Sequence, residues 1–228
     1  MRNEKILAAD KYLQETFDWV NNNRKLFRRP VHGPIVCEIT TKDVDASNYL
    51  EQHVRNSVLT SFIVECKEDM NLLYREVRTK RGMRINIQVV DQGRLDPVRR
   101  QYSDRKMQTL KQEHDVQGYL DECFEAPDAV MQALRNTSNV HSVLVGGPQT
   151  SNSLNNRGLT TYLSQKENGN GLQSYCIFSK DRNQMQKVRM CYFSHDQHTI
   201  TLLLTTIPFI TVHFISFKIQ PFQYVHRR

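Results

Sequence analysis

Two cationic clusters are the residues of this chain best suited to chemistry. Arg24, Lys25, Arg28 and Arg29 surround Phe27, and Arg75, Arg78, Lys80, Arg81 and Arg84 surround the turn at Gly82. Flexible cations gain from phosphate by releasing counterions, and an aromatic ring among them can stack on an unpaired base. The spacing therefore suits single-stranded nucleic acid. Arg24, Lys25, Arg28 and Arg29 make one patch, Arg78, Lys80, Arg81 and Arg84 a second, and Arg99, Arg100, Arg105 and Lys106 a reserve. A solvated helix end would use the same residue types. Trp19 reads as a core anchor, with base stacking as its alternative.

Other chemistries lack their residues. No G-x-x-x-x-G-K-[ST] loop is present to grip a nucleotide, and Gly146-Gly147 and Gly169-Asn170-Gly171 are turn chemistry rather than a dinucleotide fingerprint. The one close histidine pair, His195 and His198, falls outside a predicted helix and makes no metal site. G-x-S-x-G is absent, and no Ser or Cys stands in a nucleophile setting. The expectation is a non-enzyme with no cofactor, no metal and no small-molecule substrate. Cys37, Cys66, Cys123, Cys176 and Cys191 are odd in number and widely spaced, as buried free thiols of a reducing compartment are. The first residues hold no apolar signal core, so secretion is not expected.

These residues must be positioned by 228 residues with ordinary globular composition, 39% hydrophobic and 24% charged, and a formal charge of +7. Periodicity predicts a helix over 4–21, with Ile6, Leu13, Phe17 and Val20 on a narrow seam. It then predicts strand 35–40, helix 45–54, strand 62–66, helix 68–79 and strand 85–90, the alternation of a small sheet with helices packed on it. Residues 92–115, basic and broken by Gly93 and Pro97, read as a mobile connector. Beyond it lie helix 116–124, a helix from Pro127 to Arg135, strand 141–145, a loop over 146–171 with a weak turn near Leu159–Leu163, and a hairpin of 172–179 with 187–193. The fold class is thus α/β or mixed α+β. The divisions are a helix end at 1–29, half one at 30–91, the connector at 92–115, half two at 116–195 and an atypical tail at 196–228.

Three stretches carry a family resemblance: FDWVNNNRKLFRRPVHGPIV from Phe17, VECKEDMNLLYREVR from Val64, and LDECFEAPDAVMQAL from Leu120. In order and spacing they are similar to the hinge domain of structural maintenance of chromosomes (SMC) proteins, over about residues 8 to 195. The resemblance implies two small α/β halves preceded by a short coiled-coil helix. It also implies a heterodimer with the hinge of the sixth SMC member, affinity for single-stranded DNA near the coiled-coil root, and work in chromosome maintenance, repair and recombination on nuclear chromosomes. The family's ATPase heads and the returning coiled-coil helix have no counterpart in these residues, which marks the chain as a fragment or abbreviated product. A free-standing nucleic-acid-binding α/β protein is the alternative. Val143, Leu144 and Val145 running into Gly146 and Gly147 would suit a sheet edge open to a partner strand, because glycine lets a foreign backbone approach. An ordinary turn would read the same.

The tail departs from the family. Residues 199–217 carry no charge, 11 apolar residues, six Ser or Thr, Pro208 and His213. Pro208 at mid-span and the poor apolarity argue against a membrane helix. The β-branched residues suit a strand, but the hinge pattern leaves no strand waiting to pair with it. The expectation is an unpaired, aggregation-prone segment foreign to the hinge, of the kind left when coding sequence runs into non-coding sequence.

Overall fold

The computed structural model describes residues 10–91, 97–156, 159, 175–181, 184–190, 199–206 and 211–218. The chain forms two compact units, Met1–Arg99 with Leu120–His141, and Arg100–Tyr119 with Ser142–Arg228. The linear order of half, connector, half is thereby replaced by an interleaved one: 120–141 join the first unit, and the second half of the expected connector is a helix of the second.

In the first unit α1 (Lys11–Asn22) starts where the Asp10 carboxylate accepts from the Tyr12 and Leu13 amides, satisfying two donors the helix itself leaves open. It buries Leu13, Thr16 and Val20. Then follow β1 (Val31–His32), β2 (Thr40–Thr41), α2 (Val44–His53), α3 (Asn56–Leu59), β3 (Phe62–Val64), α4 (Lys67–Leu73), a wider π-type turn continuing α4 over Tyr74–Thr79, and β4 (Ile87–Val89). The sheet order is β1-β3-β4, β1 antiparallel and β4 parallel to the central strand. All three residues of β3 are fully buried, as a run of Phe-Ile-Val requires. Phe62 and Val64 pack with Leu13, Val20, Leu73, Val77 and Met83. The expected strand at 35–40 is instead a 3-10 turn over Ile35–Cys37, closed by Cys37 N–H to Pro34 O at 2.8 Å. Pro34 has no N–H to offer a ladder, so the alternation of Ile35, Cys37 and Ile39 is not a strand signal here.

The second unit opens with α5 (Asp104–His114), capped by Ser103, whose hydroxyl accepts from the Lys106 amide. Next come β5 (Val116–Tyr119) here and, in the first unit, β6 (Phe124–Glu125) and α6 (Asp128–Ser138). The segment expected as a helix over 116–124 is therefore two strands around a 3-10 turn. A bulge between Val116 and Gly118 buries Gly118 and Tyr119 in succession, and this breaks the period of two that would have announced a strand. β6 pairs antiparallel with β2. Pro127 stands just before the first turn of α6, one position earlier than expected, and its lack of an N–H costs nothing there.

β7 (Val143–Gly146) lies between antiparallel β5 and parallel β8 (Tyr175–Asp181), and β8 pairs with β9 (Gln184–Met190) in the expected hairpin. The order β5-β7-β8 repeats the directions of β1-β3-β4, which is the duplication the two-half reading implies. α7 (Thr150–Asn155) occupies part of the expected 146–171 loop. Leu159 is helical and buried; residues 160–163, and His195 and His198, lie outside the described residues. Tyr102, Leu110, Val116, Tyr119, Leu144, Leu159 and Ile177 form this unit's core. The tail is not unpaired. β10 (Thr199–Thr206) and β11 (Thr211–Lys218) form an antiparallel hairpin in register from Thr199↔Lys218 to Thr206↔Thr211. The partner strand that the hinge pattern lacks is supplied by the tail itself. Among the described residues no helix is long and apolar enough to cross a membrane.

Candidate nucleic-acid interface

The first basic patch sits on the loop leaving α1. Arg24 and Lys25 lie in a 3-10 turn, Arg24–Leu26, and Arg24 Nη2 donates to Asn21 Oδ1 at 2.7 Å. The loop is anchored from beneath by Asp69, which is 2% exposed and accepts the backbone N–H of Arg28 at 2.9 Å and of Arg29 at 3.0 Å. With both amides turned inward to one carboxylate, the Arg28 and Arg29 side chains stand outward, 72% and 51% exposed. Burial pushes the Asp69 carboxyl up. The Arg28 amide, the Cys66 thiol, the Arg29 amide and the Arg28 charge outweigh it and hold the group below the ordinary aspartate value.

A lowered folded pKa stabilises the fold above the unfolded value, and that contribution is lost as pH falls through the folded one. Asp69→Ala is therefore expected to cost about 2–4 kcal/mol near neutrality, the scale of two hydrogen bonds to a charged group. The gap between its stability curve and that of the parent should narrow as pH falls through the lowered carboxyl value. Chemical denaturation across pH 2.5–7 checks this; a constant gap across that range would assign Asp69 no electrostatic role.

Arg24, Arg28, Arg29 and His32 line one groove of about 410 Å³, with Phe27 in its wall and Glu38 on its rim. Behind it the buried Glu65 carboxylate lies 3.8 Å from Arg29 Nη1 and 3.5 Å from His32 Nε2. Trp19 meets Phe27 edge to face, with centroids 6.0 Å apart, and the Arg81 guanidinium lies 5.1 Å from the centre of the Trp19 ring. The aromatic pair thus joins the two basic patches that the sequence separates by about fifty residues. Trp19 serves chiefly as that strut, packed against the first unit's core.

The second patch is more occupied. Glu76 holds Lys80 Nζ at 2.8 Å and Arg75 Nε at 3.2 Å, and its carboxyl is kept below the usual range by Lys80 first. Arg81 also donates to the Glu76 carbonyl, and Arg78 lies over Tyr74 at 5.2 Å. Lys25 and Arg84 are exposed. Of the reserve cations, Arg99 and Arg105 are exposed, Arg100 stacks on Tyr119 at 4.5 Å, and Lys106 is 8% exposed and directed at the Tyr102 ring, a packed position rather than a surface one. The anchoring acids Asp69, Glu65 and Glu76 were not picked out from the sequence. For Asp69 the signal was the acidic pair Glu68-Asp69 opening a helix directly after a buried strand.

The edge expected at Val143, Leu144, Val145, Gly146 and Gly147 needs correction. β7 is paired on both sides and all four of its residues are buried, so it offers no open backbone. The close approach that Gly147 permits is internal: it donates to Asp115 O at 2.7 Å, and a Cβ there would strike the Asp115 carboxylate. Gly146 is likewise closed by the Thr150 side chain. Among the described residues the strands that end the two larger sheets are β1, β4, β5 and β9. Phe62 N–H bonds Asn86 O and Val90 N–H bonds Val64 O. Even-numbered residues therefore face β3, and Ile87 and Val89 turn their backbone N–H and C=O outward.

The fold defined by these two units is that of an SMC hinge domain. The S. pombe Smc5/6 hinge domain superposes with a TM-score of 0.58 at 16% identity, covering 90% of this chain and 66% of that one. In sequence the chain is similar to structural maintenance of chromosomes protein 5 of Arabidopsis thaliana, 27% identical over 143 residues, or 63% of this chain. The match spans 13% of that relative's length. A Geobacillus stearothermophilus SMC hinge domain aligns at a TM-score of 0.44 and 15% identity over 80% of this chain. No protein-family model matches.

Proposed function

We propose that the chain is the dimerisation hinge of an SMC-type chromosome-maintenance protein, pairing with the hinge of the sixth SMC member and holding single-stranded DNA in its basic groove. It works on nuclear chromosomes in repair and recombination, and no catalytic step is assigned to it. The observation that carries the pairing is the likeness to the Smc5/6 hinge, together with outward-facing backbone on β4. An added strand would bond Ile87 and Val89 directly. Mixing the chain with a hinge of the sixth-member type should give a one-to-one complex by light scattering. Val89→Pro removes an outward N–H and leaves the β3–β4 ladder intact, so it should weaken the complex at least about tenfold, the scale of a lost edge bond. A chain that stays monomeric in the mixture favours a free-standing nucleic-acid-binding protein.

The convergence of both basic patches on Trp19 and Phe27 supports the DNA reading. Arg28→Gln with Arg84→Gln should weaken binding of an oligothymidine and lower the slope of log affinity against log salt by about 0.7 per lost phosphate contact. Affinity and slope unchanged in the double variant would move the site away from this groove.

A further inference from the structure

A second pocket, of about 300 Å³, opens on the flank of α6 within the first unit. Its polar lining is Arg99, Gln132, Arg135, Asn136 and His141. Each of these side chains can present an N–H donor, and among the described residues no carboxylate lines the pocket. The basic groove, with Glu38 on its rim, is different in kind.

The donors are also held in place. Arg135 Nε and Nη2 both lie 3.2 Å from Oδ2 of Asp121, whose side chain is fully buried, so the guanidinium is fixed from behind. Gln132, 6% exposed, donates Nε2 to Asn136 Oδ1 at 2.9 Å. That bond occupies the acceptor end of the Asn136 amide and leaves its N–H₂ to meet a ligand. Arg99, on an exposed segment, adds a further positive charge to the lining.

A concave site made of donors complements an oxyanion, and guanidinium forks suit the paired oxygens of phosphate. The volume stands at the small end of ligand pockets and has room for a phosphate and an attached pentose. We propose that this pocket binds a phosphomonoester group, carried by a mononucleotide or by the terminal phosphate of a nucleic-acid strand. It shares no residue with the basic groove, so the two sites stand or fall separately.

Thermal unfolding of the whole chain in sodium phosphate, against sodium chloride at matched pH and ionic strength, tests it. At tenfold over Kd the midpoint should rise by about 3–6 °C. Asn136→Asp keeps the acceptor that Gln132 needs and places a negative charge in the pocket, so it should abolish the rise. Arg99→Ala should at least halve it, and Arg28→Gln should leave it whole. Adenosine monophosphate, and a 5′-phosphorylated dodecamer beside its 5′-hydroxyl twin, then separate the carriers by competition with phosphate. Equal midpoints in phosphate and chloride overturn the proposal. So does an Asn136→Asp variant that responds like the parent, or phosphate binding with which neither carrier competes.

Discussion

Gly33→Ala is expected to lower the stability of the first unit by about 3–5 kcal/mol, combining backbone strain with overpacking of a closed core. Gly33 has φ +128°, a conformation that side-chain-bearing residues rarely adopt. A Cβ there would lie 2.8 Å from Ser61 O and 2.9 Å from Phe62 Cα, and both are backbone atoms. Neither can retreat. Ser61 O already accepts the Ile35 amide, and Phe62 is fully buried in the strand paired with β1 and β4. The midpoint of unfolding should fall by roughly 6–20 °C. Gly82→Ala is the internal control: its φ is +67° but a Cβ would meet nothing within 4 Å, so only about 1 kcal/mol of conformational cost remains. Equal losses at the two glycines would show that contact with β3 plays no part.

Arg135→Met should cost about 3–5 kcal/mol, because it removes the cation facing a buried carboxylate. The Asp121 side chain is fully buried and receives two donors from Arg135, itself one quarter exposed. The pair crosses from the 3-10 turn at Leu120–Glu122 to α6, so it ties the start of the LDECFEAPDAVMQAL segment to the residue that follows its end. Replacing both partners, Arg135→Met with Asp121→Leu, should recover more than half of the loss, since an apolar pair of similar volume leaves no orphaned charge. Denaturant titration of the two single variants and the double closes the cycle. Additive losses would mean that the ion pair contributes nothing beyond its separate side chains.

Much of this was legible in the residues themselves. α1, α2, α6, β3, β4, β7 and the hairpin of β8 and β9 follow from local periods and caps, because burial on one face imposes a spacing that composition can display. The basic character of the two patches was equally open, since charge needs no partner to be read. What stayed hidden depended on residues distant in the chain. β5 read as a helix because its bulge, set by pairing with β7, buries neighbours in succession. The run 143–147 read as an edge because nothing local shows that β5 and β8 lie on either side of it. Its glycines serve Asp115 and Thr150 rather than a partner chain. The tail read as a strand without a mate because its mate is its own second half. Residue types and local spacing reveal which side chains are cationic and which stretches alternate or repeat. Folding is what turns Arg28 and Arg29 outward over Asp69, sets Trp19 between two patches about fifty residues apart, and faces the backbone of β4 rather than β7 outward. Local spacing records burial, whereas backbone pairing and through-space charge are settled by segments that meet only on folding.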